Sequence, residues 1–162
     1  MKRLLPLAFI LLISCSAQQQ KLIDAKKSEV AHAESTSAWL YDNYGVINDA
    51  QLSELLNRVT KRISSALHVA TFSFKSAYGQ DVMIDADYKW QVLALNTQEA
   101  QVFSVGNGTI FVTGGLIEAA NSESELAAVI AHEMAHQALG HTTDAFLQAA
   151  EQANPAISFT GE

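Results

Sequence analysis

Apolar and polar positions divide this chain into short elements of recognisable period. Leu4 to Ile13 form a nearly unbroken apolar run, and residues 16 to about 36 are polar, with Gln18-Gln19-Gln20 followed by lysines, Ser and Thr. Asn48-Asp49 can cap a helix, and Leu52, Leu55, Leu56, Val59 and Ile63 then recur at helical intervals. Glu54, Arg58, Lys61 and Arg62 fall on the other faces, the pattern of an amphipathic packing helix. Phe72–Tyr78 and Lys89–Leu95 read as strands. Gln101–Thr113 reads as two strands joined by a turn at Gly106-Asn107-Gly108. Gly114-Gly115 ends the second of these and begins a short helix from Leu116 to Ala120. Ser122 and Glu125 then fit a capping box for a further helix. From Leu126 to Leu139 that helix is almost entirely apolar or small, which predicts burial all round. The elements together predict an α+β domain in which a small, mostly antiparallel sheet packs on a buried helix.

Three ionisable residues interrupt the apolar stretch of that last helix: His132, Glu133 and His136. Such groups are costly to bury unless they are paired or bind a metal. Two histidines four residues apart lie one turn apart on one helix face. Their neutral imidazoles can converge on a single Zn²⁺, which takes nitrogen ligands at about 2.0–2.1 Å. Glu133 is rotated by about 100° from His132 around the axis. It is poorly placed to ligate the same ion but can reach a water at an open zinc position and act as general base. This is the chemistry of the His-Glu-x-x-His pattern, with His132 and His136 as metal ligands and Glu133 as catalytic residue. His141 lies five residues after His136 and would face away on a continuous helix, so it reads as a residue that supports a ligand from behind or lies on the surface. His32 and His68 have no neighbouring motif.

Composition adds an address. Nearly half the residues are apolar, enough for one modest domain to bury a core, and the formal charge is −7. That balance has no basic footprint for nucleic acid. Lys2 and Arg3 followed by a run of about ten apolar residues have the anatomy of an export signal, too short to span a bilayer as a stable helix. Leu12-Ile13-Ser14-Cys15 resembles a bacterial lipobox, in which the cysteine is lipidated and becomes the first mature residue. Cys15 is the sole cysteine, so no internal disulfide can form. The expected organisation is a signal peptide over 1–14, a lipid-anchored polar tether over 15–37 and a catalytic domain over 38–162. Ser16, not Asp, follows the cysteine; by resemblance to enterobacterial sorting this favours the outer membrane.

Longer stretches resemble one family. Tyr44-Gly45-Val46-Ile47-Asn48-Asp49, Gly108-Thr109-Ile110-Phe111-Val112-Thr113-Gly114-Gly115-Leu116 and the segment from Glu123 to His136 look like the HtpX/BepA/LoiP-like membrane-associated zinc metallopeptidases. The Gln-Ala-Leu-Gly-His run over 137–141 is similar to their lipoprotein members. The resemblance implies a gluzincin-like domain holding one Zn²⁺. It implies proteolysis of unfolded or misassembled envelope proteins at the periplasmic face of the outer membrane, with the membrane reached through the N-terminal lipid. It also suggests that the strand Thr109, Ile110, Phe111, Val112, Thr113 pairs with extended substrate, with Ile110 and Val112 facing the core. Where the family often has Asn-Ala-Phe, this chain has Gln101-Val102-Phe103. The family's third zinc ligand is a Glu in a Glu-x-Glu-Ala-Asp-like segment on a later helix. No such segment follows His136; Asp144, Glu151 and Glu162 are the carboxylates there, and Glu151 would lie about 22 Å away on a continuous helix. By that comparison the chain is expected to be C-terminally truncated. The alternative reading is a catalytically inactive member that acts as a polypeptide- or metal-binding lipoprotein.

Overall fold

A computed structural model describes the backbone of residues 6–69, 74–75, 81–82 and 88–142, with side chains from residue 19 onwards outside 68–69, 74–75 and 81–82. The elements are α1 (Pro6–Tyr44), α2 (Ala50–Val69), β1 (Phe74–Lys75), β2 (Asp81–Val82), β3 (Gln91–Leu95), β4 (Val102–Gly106), β5 (Thr109–Thr113), α3 (Gly114–Ala119) and α4 (Glu123–Ala138). Most of the strand expected over 72–78 lies outside the described residues. β1 and β2 form a separate antiparallel pair.

The main sheet has the order β3-β5-β4. β4 and β5 are antiparallel, as the tight turn between them requires, whereas β3 and β5 are parallel. The sheet is therefore mixed rather than mostly antiparallel. The cause lies in the loop over residues 96–101, which passes over the end of β5 and sets β4 down on its far side. Gly115 N donates to Thr97 O and Thr113 N to Gln101 O along that crossing. β5 is left in the central slot, with Ile110, Phe111 and Val112 at 0% exposure.

Both faces of the sheet are covered. Val92, Ala94, Ile110 and Val112 point to one side and pack with Leu56 and Val59 of α2 and with Leu126, Ile130 and Met134 of α4. Leu95, Val105 and Phe111 point to the other side and meet Ala33 and Leu40 of α1. Tyr41 sits edge-on to Phe111 with ring centroids 5.5 Å apart. Two-sided burial explains why β5 is a continuous apolar run without alternation. α2 begins where Asp49 Oδ1 accepts from Leu52 N at 2.7 Å.

The polar segment read as a tether, for which a part-helical form was open, lies in α1, and Ala25, Glu29 and Ala33 within it are buried. One sequence expectation changes here. α4 buries one stripe, Leu126, Ile130, Met134, Gln137 and Ala138, while its opposite side reaches solvent. Its all-round apolar look comes largely from alanines such as Ala127, Ala128, Ala131 and Ala135. Alanine favours a helix whether buried or exposed and costs little in water. No helix among the described residues is long and apolar enough to cross a membrane.

Candidate metal centre on helix α4

The helix that carries the candidate site is pinned at its start. Ser122 caps it, its side chain accepting from Glu125 N at 3.2 Å. The Glu125 carboxylate reaches back to Asn121 N at 2.8 Å and Asn121 Nδ2 at 3.0 Å, one residue before the expected capping-box partner. These bonds, the backbone one first, hold its pKa below the ordinary carboxylate value. Arg58 of α2 donates to Glu123 at 2.9 Å, and Arg62 stands 3.7 Å away.

The hydrogen bond from Arg58, and then its charge, lower the pKa of Glu123. A group depressed on folding stabilises above its unfolded pKa, about 4.3 for Glu, and loses that contribution as pH falls through the folded value. Wild type should therefore lose more stability than Arg58→Met between neutral pH and about pH 3. Urea unfolding at the two pH values measures this, and equal losses would remove the assignment. The pair is exposed, so high salt should shrink the difference.

Further along the helix, on its exposed face, the two histidines converge. His132 Nε2 lies 3.1 Å from His136 Nε2, with the rings 4.6 Å apart and inclined by 80°. Two nitrogens bound tetrahedrally at about 2.0–2.1 Å from one Zn²⁺ stand about 3.3–3.4 Å apart. The spacing and the imidazole donors therefore fit two corners of one zinc site. Glu133 is half-buried beside them.

His136 also has a partner on its other nitrogen: His141 Nδ1 is 2.7 Å from His136 Nδ1, with ring centroids 4.9 Å apart. With Nδ1–H donating to His141, the Nε2 lone pair of His136 is free for an ion, the usual way a neighbour orients a metal-binding imidazole. On a continuing helix His141 would face away. Instead α4 stops at Ala138, and Gly140 takes a left-handed conformation (φ 78°) that swings the chain back beneath His136. Gly140→Ala should cost about 1–2 kcal/mol, the penalty of that conformation for an L-residue. It should also loosen the His136–His141 contact. Thermal unfolding and ring-to-ring NOEs check both effects, and unchanged NOEs would sink the second.

The remaining candidate residues are placed as follows. Thr109–Thr113 is β5, hydrogen-bonded to β3 on one edge and β4 on the other. Its backbone has no free edge for a substrate strand, so that assignment is corrected. Ile110 and Val112 do face the α2–α4 core. The backbone of Cys15 is part of α1. Asp144, Glu151 and Glu162 lie outside the described residues. Among the described residues no group of three or more His, Cys, Asp or Glu is placed to hold a metal ion.

Sequence reasoning passed over two residues that shape this region, Gln137 and Glu29, both buried. A polar residue in the Ile130–Met134–Ala138 stripe was the available signal for the first. Glu29 stood among polar neighbours and gave none.

The profile of peptidase family M48 matches residues 55–160. This chain belongs to peptidase family M48. It is also similar to the mitochondrial metalloendopeptidase OMA1 of Schizosaccharomyces pombe, 27% identical over 93 residues, which cover 56% of this chain and 28% of that protein. M48 peptidases are zinc metallopeptidases, and the stretch shared with OMA1 spans little more than a quarter of that protein's length.

Proposed function

We propose that this M48 chain is a zinc-dependent endopeptidase of the bacterial envelope. It is anchored through a lipid on Cys15 after removal of residues 1–14, faces the periplasm from the outer membrane, and cleaves unfolded or misassembled envelope proteins. The observation that carries the reading is the approach of His132 Nε2 to His136 Nε2 at 3.1 Å, on a solvent-facing side of α4 with Glu133 beside them. The lipobox-like Leu12-Ile13-Ser14-Cys15 and the stretches shared with membrane-associated relatives support the location.

His132 and His136 would hold the ion, their Nε2 atoms facing each other at 3.1 Å. When bound, zinc polarises a peptide carbonyl and acidifies a water molecule. Glu133 would accept a proton from a water molecule at the site and return it to the leaving amide nitrogen. His141 keeps the His136 ring in register from below. An extended polypeptide lies along β4, which pairs only with β5 among the described residues and packs under α4.

The test is zinc-dependent cleavage of a denatured polypeptide by the purified chain. Chelation should stop cleavage, and one equivalent of zinc should restore it. A chain that binds one zinc and cleaves nothing would replace this proposal with a metal- or polypeptide-binding role.

A further inference from the structure

Gln137 follows His136 directly, in the last turn of α4, and is fully buried. Each polar atom of its amide is engaged. Oε1 accepts from Gly108 N at 2.8 Å; Nε2 donates to Ser104 Oγ at 2.9 Å and to Thr109 O at 3.2 Å. Burying an amide is unfavourable unless it is matched, and a matched one becomes a geometric constraint. The constraint here ties the end of α4 to the β4–β5 turn. The same turn is held from the opposite face of the sheet. Glu29 of α1, 1% exposed, accepts from Asn107 N at 2.9 Å and from the Tyr88 hydroxyl at 3.3 Å. Consecutive amides, 107 and 108, are thus claimed by opposite layers of the fold.

His136 sits where helices fray, within three residues of the end of α4. His132 sits one turn deeper. Loosening of the last turn would move one imidazole relative to the other. A rotation of about 20° carries a ring at a radius of about 5–6 Å through about 2 Å, a full Zn–N bond length.

We propose that Gln137 is a positioning residue for the metal centre: it locks the last turn of α4 to the β4–β5 turn and so fixes His136 against His132, with Glu29 backing the lock from α1. The inference rests on the zinc reading above. It gives that reading a mechanical link between the helix that contains the proposed lipid anchor and the metal-binding helix.

The experiment uses the full chain and zinc alone, with affinity read by competition against a chelating dye. Gln137→Met, of similar length without hydrogen bonds, should weaken zinc binding about 10- to 100-fold, the usual effect of losing a residue that orients a ligand. Glu29→Gln should weaken it less. The double variant should lose less than the product of the two, because both act on one turn. A folded Gln137→Met protein with wild-type zinc affinity overturns the proposal. Should that variant fail to fold, wild-type hydrogen exchange decides. Coupling is reciprocal, so saturating zinc should slow exchange of the Gly108 amide about tenfold or more. Unchanged exchange with zinc bound overturns the proposal and leaves the zinc reading standing. A wild-type chain that takes up no zinc removes both.

Discussion

Glu133→Gln should cut peptide cleavage about 10²- to 10⁴-fold, the typical contribution of a general acid–base residue, while zinc stays bound. The amide matches the carboxylate in size and still offers an oxygen to a water molecule. It does not accept a proton near neutral pH, so the step that makes the nucleophile is lost. The two imidazoles that would hold the ion lie on a different part of the helix surface, 3.1 Å apart, and are untouched by the change. Glu133 is half-buried at the margin of the stripe of Leu126, Ile130, Met134 and Ala138 that packs on the sheet, and an amide of the same size keeps its packing. Unfolding temperature should therefore move little. Turnover of a denatured polypeptide and zinc content, measured on the same preparations, check the expectation. Equal turnover in wild type and variant would remove Glu133 from the chemistry. Loss of zinc along with turnover would make it a holder of the site rather than its base.

The largest stability effect is expected at a residue outside the His132–His136 site. A Cβ on Gly115 would stand 2.0 Å from Gln98 O, 2.4 Å from Gln98 C and 2.8 Å from Glu99 C. These atoms are the backbone of the loop that crosses the end of β5. That loop has no room to step away at low cost. Gly115 N donates to Thr97 O at 2.9 Å. The buried Thr113 hydroxyl donates to Glu99 O at 2.5 Å and accepts from Gln101 N at 2.9 Å and from Leu116 N at 3.2 Å. Inserting even a methyl group here forces these bonds apart. Ordinary overpacking costs about 1–3 kcal/mol, and a clash with fixed backbone should reach at least about 3 kcal/mol. Gly114→Ala is the natural control. Its Cβ would come no closer than 3.3 Å to Ile47 Cδ1 and Thr97 O, so its effect should be much smaller. Urea midpoints of the two variants decide the matter, and a Gly115→Ala protein as stable as Gly114→Ala would contradict this account of the crossing loop.

The loop also shows where sequence reading stops. Gly106-Asn107-Gly108 announces a turn and Gly114-Gly115 announces the end of a strand, because glycine is local punctuation. Nothing in the period of residues 89–113 says that the middle slot of the sheet goes to β5 rather than to β4. Gly115 is required because another part of the chain passes within contact of it. A similar boundary runs through α4. Leu126, Ile130 and Met134 mark its buried stripe by spacing alone, but the alanines between them read as apolar and made the helix look buried all round. Only the placement of the sheet and α2 on one side of α4 shows which face is open, and that open face is the one His132 occupies.

The sequence by itself determined most elements after Asn48, the caps at Asp49 and Ser122, and the chemical vocabulary of the site. Asp49 and Ser122 announce two helices, the turn at 106–108 joins two strands, and His132, Glu133 and His136 share one helix at a spacing suited to a single ion. Those features depend on residues a few positions apart, so the period of the chain encodes them. The tertiary structure decided the mixed sheet order, the denial of both β5 edges to substrate, the return of His141 beneath His136 and the clamp on the β4–β5 turn. Gln137 meets Gly108 across 29 residues, and Glu29 meets Asn107 across 78. At such separations hydrogen-bond partners are chosen by how helices and sheet pack, and local pattern carries no record of that choice.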